Sequence, residues 1–320
     1  MKKIFVYVVM ASACLSGYSQ NAIVSSSQDA SNFLGAYFSP FAETIGIGLN
    51  RGWYNTAKPH KIGGFDVSLS LNLITINDEL SSFDVNSLDN FSSSSSSTPT
   101  VLGSGEGATI SYDFNGISNE FVMPDQNTNL TAIPIPTLNA GVGLIKGTEI
   151  NVRYIPSYKF DIGFVGKGSV DLFGVGLKHD ILQWIPLNKA LPFDLSVQGA
   201  FSQFKTSFEV ESQSVKQEVG LDVRASTFNL IFSKKFAFLT AYASIGKNTI
   251  NSTFTGNTNF KLGSSNTLEF DLPLEIDFPQ TSELQTSAGV RLQLAILTLY
   301  ANQSFSKNPV STVGIGISFR

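Results

Sequence analysis

The chain has 320 residues and a formal net charge of −4, and only 14% of its residues are charged, against roughly 25% in an ordinary soluble domain. The 21 Lys and Arg do not outnumber the 25 Asp and Glu, which argues against a nucleic-acid-binding protein. A single cysteine excludes an intrachain disulfide framework. The 42% of hydrophobic residues can bury a core, so disorder throughout is not expected.

The first 19 residues have the pattern of a secretory signal peptide. Lys2 and Lys3 precede an apolar run over residues 4–15, and a small-residue stretch ends at Ser19. We therefore expect export through the inner membrane, cleavage after Ser19 and a mature chain that starts at Gln20.

The alternative is a lipoprotein signal that uses Cys14, although Ala11 stands at the −3 position where Leu is usual. On the main interpretation the mature chain has no cysteine, which excludes thiol catalysis and thiolate metal sites. No later segment approaches 18 consecutive apolar residues. A bilayer could then be spanned only by a closed β-barrel.

The N-terminal segment, residues 20–62, differs from the rest of the mature chain. Apolar residues within Ser27–Leu49 recur at helical spacing, and Pro40 is expected to interrupt the helix. We interpret the segment as partly helical, either plugging a barrel or lying along its rim. The candidate gate or plug residues are Phe33, Tyr37, Phe38, Phe41 and Trp53.

From residue 63 to 320, polar and apolar side chains alternate, as in strands with one polar and one apolar face. In the first such strand Phe65, Val67 and Leu69 alternate with polar residues. The segments run to about 10–13 residues, which suits tilted transmembrane strands. We count about 12–14 strands, which include Ala108–Asn115 and a weak pair or single strand within Asn251–Ile276. The sequence therefore predicts an all-β fold, a transmembrane antiparallel β-barrel.

Turns and loops of this barrel differ in length on its two sides. Short turns such as that around Gly147 alternate with long polar segments, which are Asp78–Gly107, Ile117–Pro136 and about Asn251–Ser282. Short turns on one side and long loops on the other are typical of outer-membrane barrels.

The C-terminal strand is the most specific of these features. Val313, Ile315, Ile317 and Phe319 alternate with small or polar residues, and only Arg320 follows the terminal aromatic. Such a strand resembles the assembly signal of bacterial outer-membrane barrels. We expect outer-membrane lipids and the barrel-assembly machinery as partners; a soluble β-sandwich is the alternative fold, because its strands alternate too.

If the apolar face contacts lipid, the polar face points into the lumen. The lumen or ligand-facing candidates are therefore Glu149, Asn151, Arg153, Asp194, Gln198, Arg291 and Gln293. The alternative is that these residues bind no ligand and instead form charge pairs that stabilise the barrel from inside.

Little in the sequence points to catalysis, a cofactor or a metal ion. The two histidines, His60 and His179, are distant in sequence, and His60 stands in a polar stretch beside Lys58 and Lys61, cations that disfavour its protonation. We therefore expect no catalytic residue, no metal site, no cofactor and no enzymatic activity.

One polar cluster stands apart. Lys178, His179 and Asp180 are adjacent, and a carboxylate beside a histidine can tune its protonation. They either form a functional group or cap the end of a strand. The stretch that follows to Pro186 is interpreted as a short helix or turn, with Trp184 and Ile185 at a membrane interface.

Several motifs give the chain a family resemblance. They are Gly52–Ala57 before Gly64–Asp66, Pro134–Pro136, Val152–Pro156 and Gly176–Ile181. On these residues the chain resembles an uncharacterised, domain-of-unknown-function family of Gram-negative outer-membrane β-barrels, which implies architecture and no settled activity. In layout alone it is similar to long-chain fatty-acid transport barrels, which begin with an N-terminal plug.

The leading hypothesis from the sequence is a channel or transporter in the outer membrane for a small, hydrophobic molecule. The alternative is a structural or surface-interaction barrel without transport, and a barrel hydrolase ranks below both. A lumen filled with side chains would favour the structural or surface-interaction role.

Overall fold

The computed structural model describes residues 22–24, 27–114, 116–127, 131–162, 166–186, 191–212, 215–256, 260–262, 268–270 and 274–319. The predicted signal peptide lies outside these residues, as does Arg320. Among the described residues, no helix has both the length and the apolar character needed to cross a bilayer.

The described residues form twenty strands, two α-helices and two short 3-10 helices. The order up to residue 127 is β1 (Ala22–Val24), α1 (Ser27–Leu49), β2 (Phe65–Thr75), α2 (Asp78–Ser81), β3 (Ser82–Phe83), a 3-10 turn (Val85–Ser87), β4 (Phe91–Ser93), β5 (Thr98–Pro99), β6 (Ser104–Gly105), β7 (Thr109–Phe114), β8 (Ile117–Val122) and β9 (Gln126–Asn127). The order after it is β10 (Ala132–Gly143), β11 (Thr148–Ile162), β12 (Gly166–Asp180), a 3-10 turn (Leu182–Trp184), β13 (Asp194–Ser212), β14 (Val215–Phe236), β15 (Leu239–Gly256), β16 (Phe260–Leu262), β17 (Leu268–Phe270), β18 (Leu274–Leu294), β19 (Leu297–Phe305) and β20 (Val310–Phe319).

Ten of the described strands close into an antiparallel barrel in the order β10, β11, β12, β13, β14, β15, β18, β19, β20 and β2. The ring is closed by the first and last of these strands in the chain, with Phe65 opposite Phe319 and Ile74 opposite Val310. The predicted barrel and its partly helical N-terminal segment are confirmed.

The predicted count of 12–14 barrel strands is wrong, because alternation does not distinguish barrel strands from other strands. Alternation counts residues 193–205 and 206–214 as two strands, whereas Asp194–Ser212 is one long strand, β13. Ala108–Asn115 contains β7, which pairs with β4 and β8 above the barrel. The segment within Asn251–Ile276 extends β15 and then supplies β16 and β17, which form a separate sheet with β1.

The two ends of the barrel differ as the sequence predicted. Two-residue loops join β14 to β15 and β18 to β19, and their first residues, Ala237 and Ala295, have φ of 51° and 53°. Such positive φ values suit tight hairpins, since they match the twist of the flanking strands. We call this the turn end, and the opposite end, which carries residues 78–127, the loop end.

Residues 78–127, apart from Asn115, fold over the loop end, and we call them the cap. The cap contains three small sheets, β3 with β5, β4 with β7 and β8, and β6 with β9. Its core is aromatic: the ring of Phe33 from α1 lies 4.7 Å from Phe91 and 5.7 Å from Phe121. The long polar segment predicted as a loop therefore contributes apolar side chains to a core that it shares with α1 and the barrel strands.

Outer and inner barrel surfaces differ in polarity. On β20, Val313, Ile315 and Ile317 are about half exposed, whereas Thr312 and Ser318 are buried inside. The same division holds around the barrel, so an apolar exterior surrounds a polar interior. This is the surface that a barrel in a bilayer requires.

Helix α1 extends from the cap into the barrel as one continuous helix. The expected interruption at Pro40 is wrong, since the helix runs to Leu49. Side chains on both sides of the proline, such as Leu34 and Ile47, are almost completely buried. Tertiary packing therefore holds the helix across a residue that lacks a backbone donor.

Candidate functional site

Residues 27–62, which we call the N-terminal segment from here on, run from the cap through the interior of the barrel to the turn end. The end of α1 lies against the wall: a Cβ on Gly46 would approach Ile250 to 2.4 Å, and one on Gly48 would approach Ile135 to 2.7 Å. These glycines allow the helix to fit closely inside the strands. Residues 50–62 then continue to the turn end, where β2 begins.

A buried arginine attaches the segment to the wall. Arg153 of β11 has no exposed surface. Its guanidinium donates to Asn139 Oδ1 at 2.8 Å and to the backbone oxygens of Leu49 and Arg51 at 2.6 and 2.7 Å. It also lies 4.2 Å from the ring of Trp53. The cation thus satisfies two carbonyls at the end of α1, where a helix leaves acceptors unpaired.

The Trp53 ring is packed against two glycines of the wall. Its Nε1 donates to Leu49 O at 3.0 Å. A Cβ on Gly174 or Gly176 would lie 3.1 or 3.2 Å from the indole. These two positions of β12 therefore provide the space for the ring.

A second ionic contact is made by Arg51 of the segment. Its Nη2 lies 3.2 Å from Glu283 Oε1, which also accepts from Asn248 Nδ2 at 3.3 Å. Three residues further on, the Tyr54 hydroxyl lies 2.6 Å from Ser244 Oγ. The segment is therefore bound to β15 and β18 as well as to β11.

The third contact is a cluster of ionisable groups near the turn end. His60 Nδ1 lies 2.7 Å from Glu149 Oε2 and 3.6 Å from Asp66 Oδ1, and its Nε2 lies 3.0 Å from Ser318 Oγ. Lys178 Nζ lies 2.9 Å from Glu149 Oε1. All but Asp66 are almost fully buried. His60 stands beside Lys58 and Lys61 in the sequence, but its ring is buried inside the barrel, where it contacts these carboxylates and Ser318.

Further contacts close the turn end. Ala57 N donates to Ser233 Oγ at 3.0 Å, and Ser196 Oγ donates to Ala57 O. Lys58 Nζ, largely exposed, lies 3.5 Å from Asp194 Oδ1. Together with the preceding contacts, they join the segment to strands on all sides of the barrel.

The predicted lumen residues occupy two environments. Five are buried inside: Glu149, Asn151, Arg153, Gln198 and Arg291. Asp194 and Gln293 are half-buried near the turn end, where Asp194 pairs with Lys58 and Gln293 donates to Ala295 O at 3.4 Å.

The predicted gate residues do not form one group. Phe33 and Tyr37 belong to the aromatic core of the cap, and Tyr37 accepts from Gln126 Nε2 at 2.8 Å. The next residue in the helix, Phe38, stacks on Phe254 of β15 at 5.0 Å. Phe41 packs against the apolar core that α1 shares with the cap and the strands. Trp53 lies deeper in the barrel, against the guanidinium of Arg153.

The polar cluster Lys178, His179 and Asp180 is divided by the strand. Lys178 points inward to Glu149, whereas His179 accepts from the indole of Trp184 at 3.0 Å on the outside. Asp180 accepts from the backbone N of Leu182 at 2.9 Å and so starts the 3-10 turn. No single site contains all three, because successive residues of a strand face opposite sides.

Two cavities beside the segment in the described interior are small. One cavity of about 20 Å³ is lined by residues that include His60, Asp66, Glu149 and Asn151. Another of about 10 Å³ is lined by residues that include Arg51, Tyr54 and Tyr300. Each holds about one water molecule, so neither is a passage.

Comparison with known proteins adds the family. No curated protein sequence matches this chain. Among solved structures, the chain is similar to the beta domain of the Bordetella autotransporter BrkA, at 10% identity over 81% of this chain and 99% of that one, with a TM-score of 0.39. It is also similar to the translocator domain of the autotransporter NalP from Neisseria meningitidis, at 9% identity over 92% and 98% of the two chains, with a TM-score of 0.33.

A third similar structure is the Pseudomonas putida toluene transporter TodX, at 11% identity over 96% of each chain, with a TM-score of 0.28. Such identities and TM-scores support no inference about function. A family model, in contrast, matches residues 1–319. The chain belongs to the family of unknown function DUF6588.

Proposed function

We propose that this protein is an outer-membrane barrel closed by its own N-terminal segment, which presents the cap at the cell surface in a structural or surface-interaction role. The main support for this proposal is that the N-terminal segment fills the interior of the barrel. Residues 27–62 contact strands on all sides, and two cavities beside the segment in the described interior hold about one water molecule each. The proposal includes no catalytic activity.

Loop length supports the orientation. In outer-membrane barrels the long loops are extracellular and the short turns periplasmic. The cap and the β1–β17 pair at the loop end would then face the outside, with Ala22 opposite Leu268. The N-terminal segment would enter from the cell surface and end at the periplasmic side, where β2 begins.

A gated channel is the second candidate, and the ionic contacts of the segment favour it. Arg51 with Glu283, and His60 with Glu149, are polar contacts that a static filling does not require, because apolar residues would fill the same space. Ionisable groups at membrane depth are by default candidates for function. A hydrophobic solute would have to break these contacts, so a polar solute suits this pathway better.

Conductance across planar bilayers separates the two candidates. The mature protein should be silent over voltage, salt and pH if the segment is a fixed filling, whereas a gated channel should show discrete openings. Deletion of residues 25–49 should open a steady conductance while the barrel keeps its heat-modifiable migration on gels. An unchanged conductance in this variant would contradict the assignment of the segment as the closing element.

Labelling of whole cells tests the orientation. A cysteine introduced at the exposed Ser95 of the cap should react with a membrane-impermeant maleimide. A cysteine at the exposed Lys235 near the turn end should react only after the outer membrane is opened. The reverse pattern would place the cap in the periplasm and overturn the proposed role at the surface.

A further inference from the structure

Three potential metal ligands meet near the turn end, each from a different element. His60 belongs to the N-terminal segment, Asp66 to β2 and Glu149 to β11, and one ligand atom of each lies within 4.8 Å of the other two. Two of them are buried and Asp66 is partly buried. A histidine nitrogen with two carboxylate oxygens is a ligand set that Zn²⁺ accepts.

A small cavity lies beside these ligands, and a buried oxygen there has no partner. The three ligands and Asn151 line the cavity of about 20 Å³. Asn151 is about 95% buried, and its Oδ1 has no hydrogen-bond partner among the described residues. An unpaired buried acceptor is costly, and a cation or its bound water would satisfy it.

The wall leaves room for the cluster at a glycine. A Cβ on Gly141 of β10 would lie 2.7 Å from Asp66 Oδ1, 2.6 Å from Asn151 Nδ2 and 3.4 Å from Glu149 Oε1. Any other residue here would push into the carboxylates. The glycine therefore keeps this side of the cluster open.

Neighbouring groups orient the ligands. Ser318 Oγ lies 3.0 Å from His60 Nε2, which leaves Nδ1 facing Glu149. The backbone N of His60 donates to Glu149 Oε2 at 2.8 Å. Contacts of this kind fix the orientation of ligands around a metal ion.

We propose that His60 Nδ1, Asp66 and Glu149 bind a divalent transition-metal ion such as Zn²⁺, with water from the cavity in the remaining position. The ion would take the place of any proton shared between His60 Nδ1 and Glu149, and that proton would pass to the solvent. Lys178 pairs with Oε1 of Glu149, whereas His60 faces Oε2, the oxygen that would bind the ion. The positive charge of Lys178 would weaken binding. The bound ion would fasten the N-terminal segment to two strands of the wall.

Zinc titration of the full mature protein tests the site. The protein is purified in detergent without a histidine tag, treated with a chelator and titrated with ZnCl₂ by calorimetry, and Co²⁺ spectra report the ligand geometry. We expect one equivalent to bind with a micromolar or lower Kd. Absence of one-to-one binding would overturn the proposal.

Variants locate the bound ion. His60→Ala should weaken binding by at least about 100-fold, because loss of a group that only orients a ligand already costs about 10–100-fold in metal affinity. His179→Ala, which removes the only other histidine of the sequence, should bind as the native protein does. Because His60→Ala also removes contacts that hold the segment, Asp66→Asn is the second test, and heat-modifiable migration verifies that each variant is folded. Lys178→Met should tighten zinc binding, since it removes a competing cation. Equal binding by His60→Ala and the native protein would place the ion elsewhere.

Discussion

The two halves of the N-terminal segment are held by different forces. Helix α1 is packed by apolar and aromatic side chains, with Phe33 among the rings of the cap and Phe38 on Phe254. Residues 50–62 are held by hydrogen bonds and ion pairs that converge from separate strands. Apolar packing tolerates exchange of side chains of similar volume, whereas a buried charge requires its own partner. The position of the N-terminal segment in the lumen is therefore specified mainly by residues 50–62.

The largest effect is expected from removal of the charge that joins the halves. Arg153→Met removes the donor to Asn139 Oδ1 and Arg51 O, while Leu49 O keeps the indole of Trp53 as a donor. The variant should therefore reduce the free energy of unfolding by about 3–5 kcal/mol. Urea unfolding in lipid vesicles measures the loss, and bilayer recordings should show openings that the native protein lacks. Arg224→Met, at an exposed position, is the control; equal effects of the two would contradict the special role of Arg153.

A substitution in α1, the first half of the segment, should also destabilise the protein, but in the cap and not in the lumen. Phe33→Ala removes the ring that contacts Phe91 and Phe121, and should destabilise the cap by about 3 kcal/mol. Limited proteolysis should cut the cap faster, while bilayer recordings stay silent. Openings in this variant would show that the halves act as one unit and would abolish the distinction.

A smaller effect is expected where the wall makes space for the indole. In Gly176→Ala the new methyl group would lie about 3.2 Å from Trp53, and the strain should cost about 1–3 kcal/mol. The control is Gly199→Ala on β13, because a Cβ there meets nothing within 4 Å. Thermal unfolding of both variants measures the difference, and identical midpoints would show that the indole is free to move.

The smallest effect concerns a carboxyl of α1 near the loop end. Burial raises the pKa of Glu43, partly offset by the charge of Lys307. A raised folded-state pKa means that the native state favours the protonated form, so ionisation opposes folding once the pH exceeds that pKa. Glu43→Gln should therefore be more stable than the native protein by at most about 1 kcal/mol at neutral pH. The difference should disappear below the unfolded-state pKa; a difference independent of pH would exclude ionisation as its cause.

The sequence predicted best what depends on strand geometry alone. Alternation predicted which face of β11 and β18 would be polar, because successive side chains of a strand must point in opposite directions. Glu149 and Arg153 could be selected on that basis. The same rule separates Lys178 from His179, although their adjacency in sequence suggested a common site.

Contacts between the segment and the wall could not be predicted in this way. His60 and Glu149 are 89 positions apart, and no local pattern relates them. Their meeting depends on the path of residues 50–62 through a closed ring, which is a property of the whole fold. The charged neighbours of His60 in sequence indicated a solvated stretch, but burial within the barrel decided its surroundings.

The path of the N-terminal segment has a consequence for assembly. The segment enters the ring at one end and leaves it at the other, and the ring is sealed only by the hydrogen bonds between β2 and β20. If the ring closed first, the N-terminal segment would have to pass through a finished pore before α1 could pack against the cap. Sealing the barrel around a segment already in position avoids this step. The protein is therefore expected to trap its own leading residues as the last strand pair forms, so that insertion into the membrane and filling of the lumen are one event.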